Sequence, residues 1–126
     1  MADKTTKTTD GLTIVANIND SALKYGVLTV ANEYHESLVQ LHPTLTETFD
    51  PVYFNVRLNG EEYKDQLYLK TTGFKGKWKR DNLNIRIFLK GNLKKLMVKN
   101  CVGGETLYLA LLAEEPCAFI ANIVKR

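Results

Sequence analysis

The chain has 126 residues, enough for one domain that buries a core of its own without disulfide staples. An apolar fraction of 44% and a charged fraction of 25% match an ordinary folded protein and exclude a disordered or fibrous one. The total charge of +3 is unremarkable. No apolar run is long enough to cross a bilayer and the N-terminus lacks a signal-peptide pattern, so a cytoplasmic location without a membrane partner is expected.

Residues 1–11 are polar, with repeated threonines and no apolar anchor, which predicts a flexible N-terminus ahead of one domain over 12–126. Residues 12–18 are apolar and rich in β-branched side chains, the pattern of a first strand. Asn19-Asp20-Ser21 is turn chemistry. Residues 26–31 read as a second strand. Asn32 is placed to cap a helix over 33–41, with Glu33 and Glu36 near its start and Tyr34, Leu38 and Leu41 on one face. Pro43 lies beyond that helix, and 44–51 read as a connector.

Val52, Phe54, Val56 and Leu58 alternate with polar neighbours as a strand does. Asn59-Gly60 is a strong hairpin signal, and residues 61–70 form the return strand. A basic, glycine-punctuated stretch covers 72–82. Leu83, Ile85, Ile87 and Leu89 alternate again. Residues 91–100 read as a short helix with Leu93, Leu96 and Met97 inward and Lys94, Lys95 and Lys99 outward. Two further strands, 105–113 and 117–124, are turned by Glu114-Glu115-Pro116. The expected fold is mainly β: about seven strands and two short helices in a small barrel with helices at its ends.

Catalytic signals are weak. Cys101 and Cys117 lack the close Cys or His partners of a zinc site and read as reduced thiols. His35 and His42 have no nucleophile or metal partner at a recognised spacing, so surface or packing roles are expected. No phosphate-cradling glycine loop occurs. Glu62-Tyr63-Lys64 has the Glu-x-Lys form of many metal-dependent nucleases, with Asp50 upstream. Such sites hold Mg²⁺ on carboxylates and place a lysine near the attacking water. This tripeptide also suits an exposed strand just after a turn.

The charge is segregated. Residues 70–99 carry ten Lys and Arg against one acid, Asp81, so this stretch holds +9 and the rest of the chain −6. That asymmetry predicts a surface for a polyanion on an otherwise acidic body. Lys75, Lys77, Lys79 and Arg80 are interleaved with Phe74 and Trp78. Lysines bind phosphates and release counterions. Arg80 suits guanine in a major groove and Asn82 suits adenine. Trp78 either stacks on a base or anchors the loop from beneath. Gly73 and Gly76 let backbone approach a duplex.

Three stretches, in this order, carry a resemblance. Residues 19–43 give a loop, a strand and a short helix ending in His42-Pro43. Residues 52–70 give a hairpin through Asn59-Gly60. Residues 84–112 give a strand, Gly91-Asn92-Leu93 with a helix, then Asn100-Cys101-Val102-Gly103-Gly104-Glu105 and a strand. This series resembles the DNA-binding pseudobarrel shared by plant B-three transcription-factor domains and the recognition or effector domains of EcoRII-like restriction endonucleases. Asn92 stands where plant members have Trp, and Gly104-Glu105 where they have Gly-Asp.

The resemblance spans about residues 12–124 and implies a seven-stranded open pseudobarrel with two short helices. It also implies that two arms grip the DNA major groove. The first would offer Asn17, Asn19, Asp20, Ser21, Lys24 and Tyr25. The second would offer Lys70, Thr72, Lys75, Lys77, Trp78, Lys79, Arg80, Asp81 and Asn82, the segment that the charge also marks. Arg86, Lys94 and Lys95 would clamp phosphates.

Plant signature residues are absent from both arms, so the target sequence does not carry over. The bacterial branch implies a non-catalytic, sequence-specific domain linked covalently to, or partnered with, a nuclease domain, with Mg²⁺ needed only there and no cofactor here. Two other classes stay open: a small barrel binding RNA or single strands by stacking on Phe74 and Trp78, and a Mg-dependent nuclease using Asp50, Glu62 and Lys64.

Overall fold

Alternating apolar side chains give each strand one face that must leave water, and the strands meet that demand by sharing one core. The structure is a computed structural model that describes residues 12–48, 50–71, 84–112 and 117–125. The strands are β1 (Thr13–Ile18), β2 (Val27–Thr29), β3 (Val52–Leu58), β4 (Glu61–Thr71), β5 (Ile85–Leu89), β6 (Glu105–Leu111) and β7 (Ala118–Val124). They form one seven-stranded sheet in the order β1-β6-β7-β3-β4-β5-β2, and its two end strands approach each other. The architecture is therefore a mainly β, nearly closed pseudobarrel, as the sequence predicts.

Neighbours pair antiparallel except β3 with β7, which run parallel. The inner face carries Ile14, Ile18, Phe54, Leu67, Leu69, Ile85, Ile87, Leu107 and Phe119, all essentially without exposure. Phe54 and Phe119 stack with centroids 4.6 Å apart, joining β3 to β7 at the centre. His42 meets the same Phe54 edge-on.

The hairpin between β3 and β4 turns at Asn59 and Gly60, whose φ values are +53° and +82°. Two successive positive φ values match the right-handed twist of the strands they join, which is why Asn-Gly suits this turn.

Among the described residues there are four α-helices: α1 (Asp20–Tyr25), α2 (His35–Leu41), α3 (Thr44–Glu47) and α4 (Gly91–Asn100). Helices α2 and α4 stand where expected; α1 and α3 correct the sequence reading. Asn19-Asp20-Ser21 is not a free turn. Asn19 Oδ1 accepts the Ala22 N–H at 2.9 Å, so the same chemistry starts a helix. Residues 44–47 are one helical turn rather than plain connector. Asn32 does not cap α2 with its side chain; it opens a 3-10 turn, Asn32–Tyr34, that leads into the helix.

Gly26 ends α1 at φ +71°. A Cβ there would stand 2.8 Å from the Leu89 carbonyl oxygen. This bare backbone lets the Gly26 carbonyl accept the Leu89 N–H at 2.7 Å and ties the end of α1 to β5. At the other end of β5, Thr71 Oγ1 donates to the Leu45 carbonyl at 2.6 Å, fastening α3 to the end of β4. Among the described residues, no helix is long and apolar enough to cross a membrane.

Candidate nucleic-acid interface

Register builds the site. Antiparallel pairing of β2 with β5 sets Thr29 opposite Arg86, and pairing of β4 with β5 sets Arg86 opposite Lys70. Since Ile85, Ile87 and Leu28 face the core, Thr29, Arg86 and Lys70 share the outer face by alternation. Helix α1 enters β2 through Gly26 and stands beside this row.

The result is a cleft of about 380 Å³ lined by Asn19, Ser21, Tyr25, Val27, Thr29 and Arg86. Three residues of the first expected arm thus meet Arg86, which sits next to the strand ends that bound the second. Tyr25 is 61% exposed, so its ring is available to a ligand on the rim. Lys24 Nζ lies 5.4 Å from that ring's centroid and adds positive charge there. Arg86 Nε is buried and has no hydrogen-bond partner among the described residues. A buried donor without an acceptor carries a desolvation cost that an incoming oxygen or nitrogen acceptor relieves.

The other expected residues divide. Asn17 is exposed on β1, paired with Thr106 and outside the cleft lining. Asp20 is exposed, and its Oδ1 lies beside Gly103, 3.3 Å from where a Cβ there would stand. Lys70 is on the outer row, opposite Arg86. Lys94 is half-buried, with its aliphatic stem against Gly26, while Lys95 is exposed on α4. Thr72, Lys75, Lys77, Trp78, Lys79, Arg80, Asp81 and Asn82 lie outside the described residues, as do Phe74 and the N-terminal stretch 1–11.

Asp50, Glu62 and Lys64 are not drawn together. Val52 pairs with Leu69 and Arg57 with Glu62, so Asp50 is near one end of the hairpin and Glu62 near the other. The five steps along the strand from Val52 to Arg57 alone span about 17 Å. Among the described residues, no group of three His, Cys, Asp or Glu gathers as a metal site would require. His35 Nε2 lies 3.0 Å from the Val30 carbonyl oxygen, a packing role. Burial pushes the Cys101 thiol up, and the Glu105 charge adds to that effect. Desolvation likewise raises Cys117, with Asp65 adding to it. Neither thiol is favoured as a thiolate nucleophile.

Thr29 and Val27 escaped sequence reasoning, because only the β2–β5 register puts them beside Arg86. Tyr53, Tyr68 and Phe88 escaped it as well. Their signal was aromatic residues at outward strand positions, where alternation predicts polar ones. No protein-family model matches the chain, and no curated protein matches it significantly.

Proposed function

We propose that this domain recognises double-stranded DNA in the major groove with two arms. It would be the non-catalytic target- or effector-site domain of a restriction endonuclease, working in the cytoplasm beside a covalently linked nuclease domain. The observation that carries the reading is the cleft that Asn19, Ser21 and Tyr25 line together with Arg86, whose buried Nε has no hydrogen-bond partner among the described residues. Helix α1 supplies neutral donors and acceptors suited to base edges. Arg86 and Lys70 supply charge where the second arm leaves and rejoins the sheet.

Phosphate contacts by such cations fix register, and a few arm side chains then read sequence. An arginine with an unused donor is suited to guanine O6 and N7 or to a phosphate. Segregation of +9 on residues 70–99 supports the same partner.

Selection from a random duplex pool at physiological salt tests the reading. Enrichment of one discrete motif is expected. Recovery of all duplexes alike, or preference for single strands, would overturn it.

A further inference from the structure

Beside the cleft, the outer face of the sheet carries a second feature. Tyr53 on β3, Tyr68 on β4 and Phe88 on β5 are successive cross-strand partners. Tyr68 and Phe88 stack with centroids 4.9 Å apart and planes 7° apart. Tyr53 and Tyr68 follow at 5.3 Å, tilted by 51°. Core formation does not need this row, since Phe54, Leu67, Leu69, Ile87 and Leu89 on the opposite face do that work. Tyr53 is 42% exposed, so the row ends in water rather than under another element.

Cations frame the rings. Lys90 Nζ lies 5.4 Å from the Tyr53 centroid. On the other side, Lys70 and Arg86 form the next outward pair, two residues or about 7 Å along the strands. The acids of the hairpin, Glu61, Glu62 and Asp65, lie towards its turn. Tyr68 and Phe88 cover one another's ring faces, and side chains that stand perpendicular to a sheet turn ring edges and phenol groups outward. Phenol donors flanked by lysine and arginine suit phosphate oxygens. Ring faces already used on each other suit stacked bases of a single strand less well.

We propose that Tyr53, Tyr68 and Lys90 form a second contact, continuous with the Lys70–Arg86 row, that binds the phosphate backbone of duplex DNA flanking the stretch held by the arms. This rests on the duplex-DNA reading of the cleft and extends it along the DNA. The face adds affinity and salt dependence without reading sequence.

The test compares two duplexes that share the selected site, one of about one helical turn (~10 base pairs) and one of about three turns (~30 base pairs). Wild type binds the longer duplex more tightly and with the steeper dependence on salt. The double variant Tyr53→Phe, Lys90→Gln keeps the wild-type circular dichroism and melting temperature. It binds the short duplex as wild type does. On the long duplex it binds more weakly, with a log–log salt slope smaller by about 0.9 for the cation removed. A variant that binds the long duplex with wild-type affinity and slope overturns the proposal. If wild type holds the short duplex but gains nothing from the flanks, the second contact fails while the cleft reading survives. If wild type holds neither duplex, both fail.

Discussion

Replacing Arg86 with methionine separates binding from folding. The Arg86 Nε is a buried donor without a partner among the described residues. Burying such a group costs about 1–3 kcal/mol. Methionine keeps an unbranched apolar stem in the row between Thr29 and Lys70 and removes the donor. The residue as a whole is only partly buried, so the gain is at the low end of that range. Stability of the free protein should hold or rise by up to about 1 kcal/mol, or about 4 °C in melting temperature for a chain of this size. Affinity for the selected duplex should fall, because a good contact from arginine to a base is worth about 1–3 kcal/mol, roughly 5- to 150-fold. Fluorescence anisotropy on a labelled duplex and thermal denaturation of the free protein read the two effects. A variant that binds within about twofold of wild type, or that melts well below it, refutes the reasoning.

Gln66 Oε1 accepts the Leu93 N–H at 2.8 Å and so serves one of the donors that the first turn of α4 leaves without an intrahelical acceptor. Gln66→Ala should cost about 1 kcal/mol in urea denaturation, as loss of a cap does. Gly26→Ala should cost more than about 1 kcal/mol, because the site has φ +71° and a Cβ would meet the Leu89 carbonyl oxygen at 2.8 Å. Glu105 is nearly unexposed and accepts the N–H groups of Val102 and Gly103, each at 2.8 Å. The Val102 bond foremost, with Gly103 and Lys125 adding, holds its carboxyl below the usual glutamate range. A carboxyl depressed in the folded state stabilises the fold above its unfolded pKa of about 4.3, and that contribution is lost as pH falls through the lower folded value. Glu105→Gln should therefore lower the melting temperature at neutral pH. It should also flatten the decline of wild type on acidification, which a pH series of melts would show.

Local pattern made much of this fold legible. Alternation in β3, positive-φ chemistry at Asn59-Gly60 and the period of Leu93 and Met97 in α4 each show in a few adjacent residues. Helix α1 was hidden because Asn, Asp and Ser serve turns and helix starts equally, and six residues burying Ala22 alone display no period. Helix α3, at four residues, is shorter still. The parallel pairing of β3 with β7 joins residues more than sixty apart, such as Val56 and Phe119, and no local signal encodes it.

The candidate site was legible in part for the same reason. Composition marked residues 70–99 as a cationic segment, and Arg86 with it. That Arg86 meets Asn19, Ser21 and Tyr25 depends on the β2–β5 register and on the close approach at Gly26. The aromatic row across β3, β4 and β5 likewise exists only once three strands are in register.

The most direct test of duplex recognition is the ratio of two affinities at physiological salt: the selected duplex against a scrambled duplex of equal length and composition. Specific readers of DNA bind their site at least about 10³-fold more tightly than other duplexes. The account predicts a ratio of that order, falling sharply in Arg86→Met. Equal affinity for the two duplexes, or tighter binding of the isolated single strand, would contradict it.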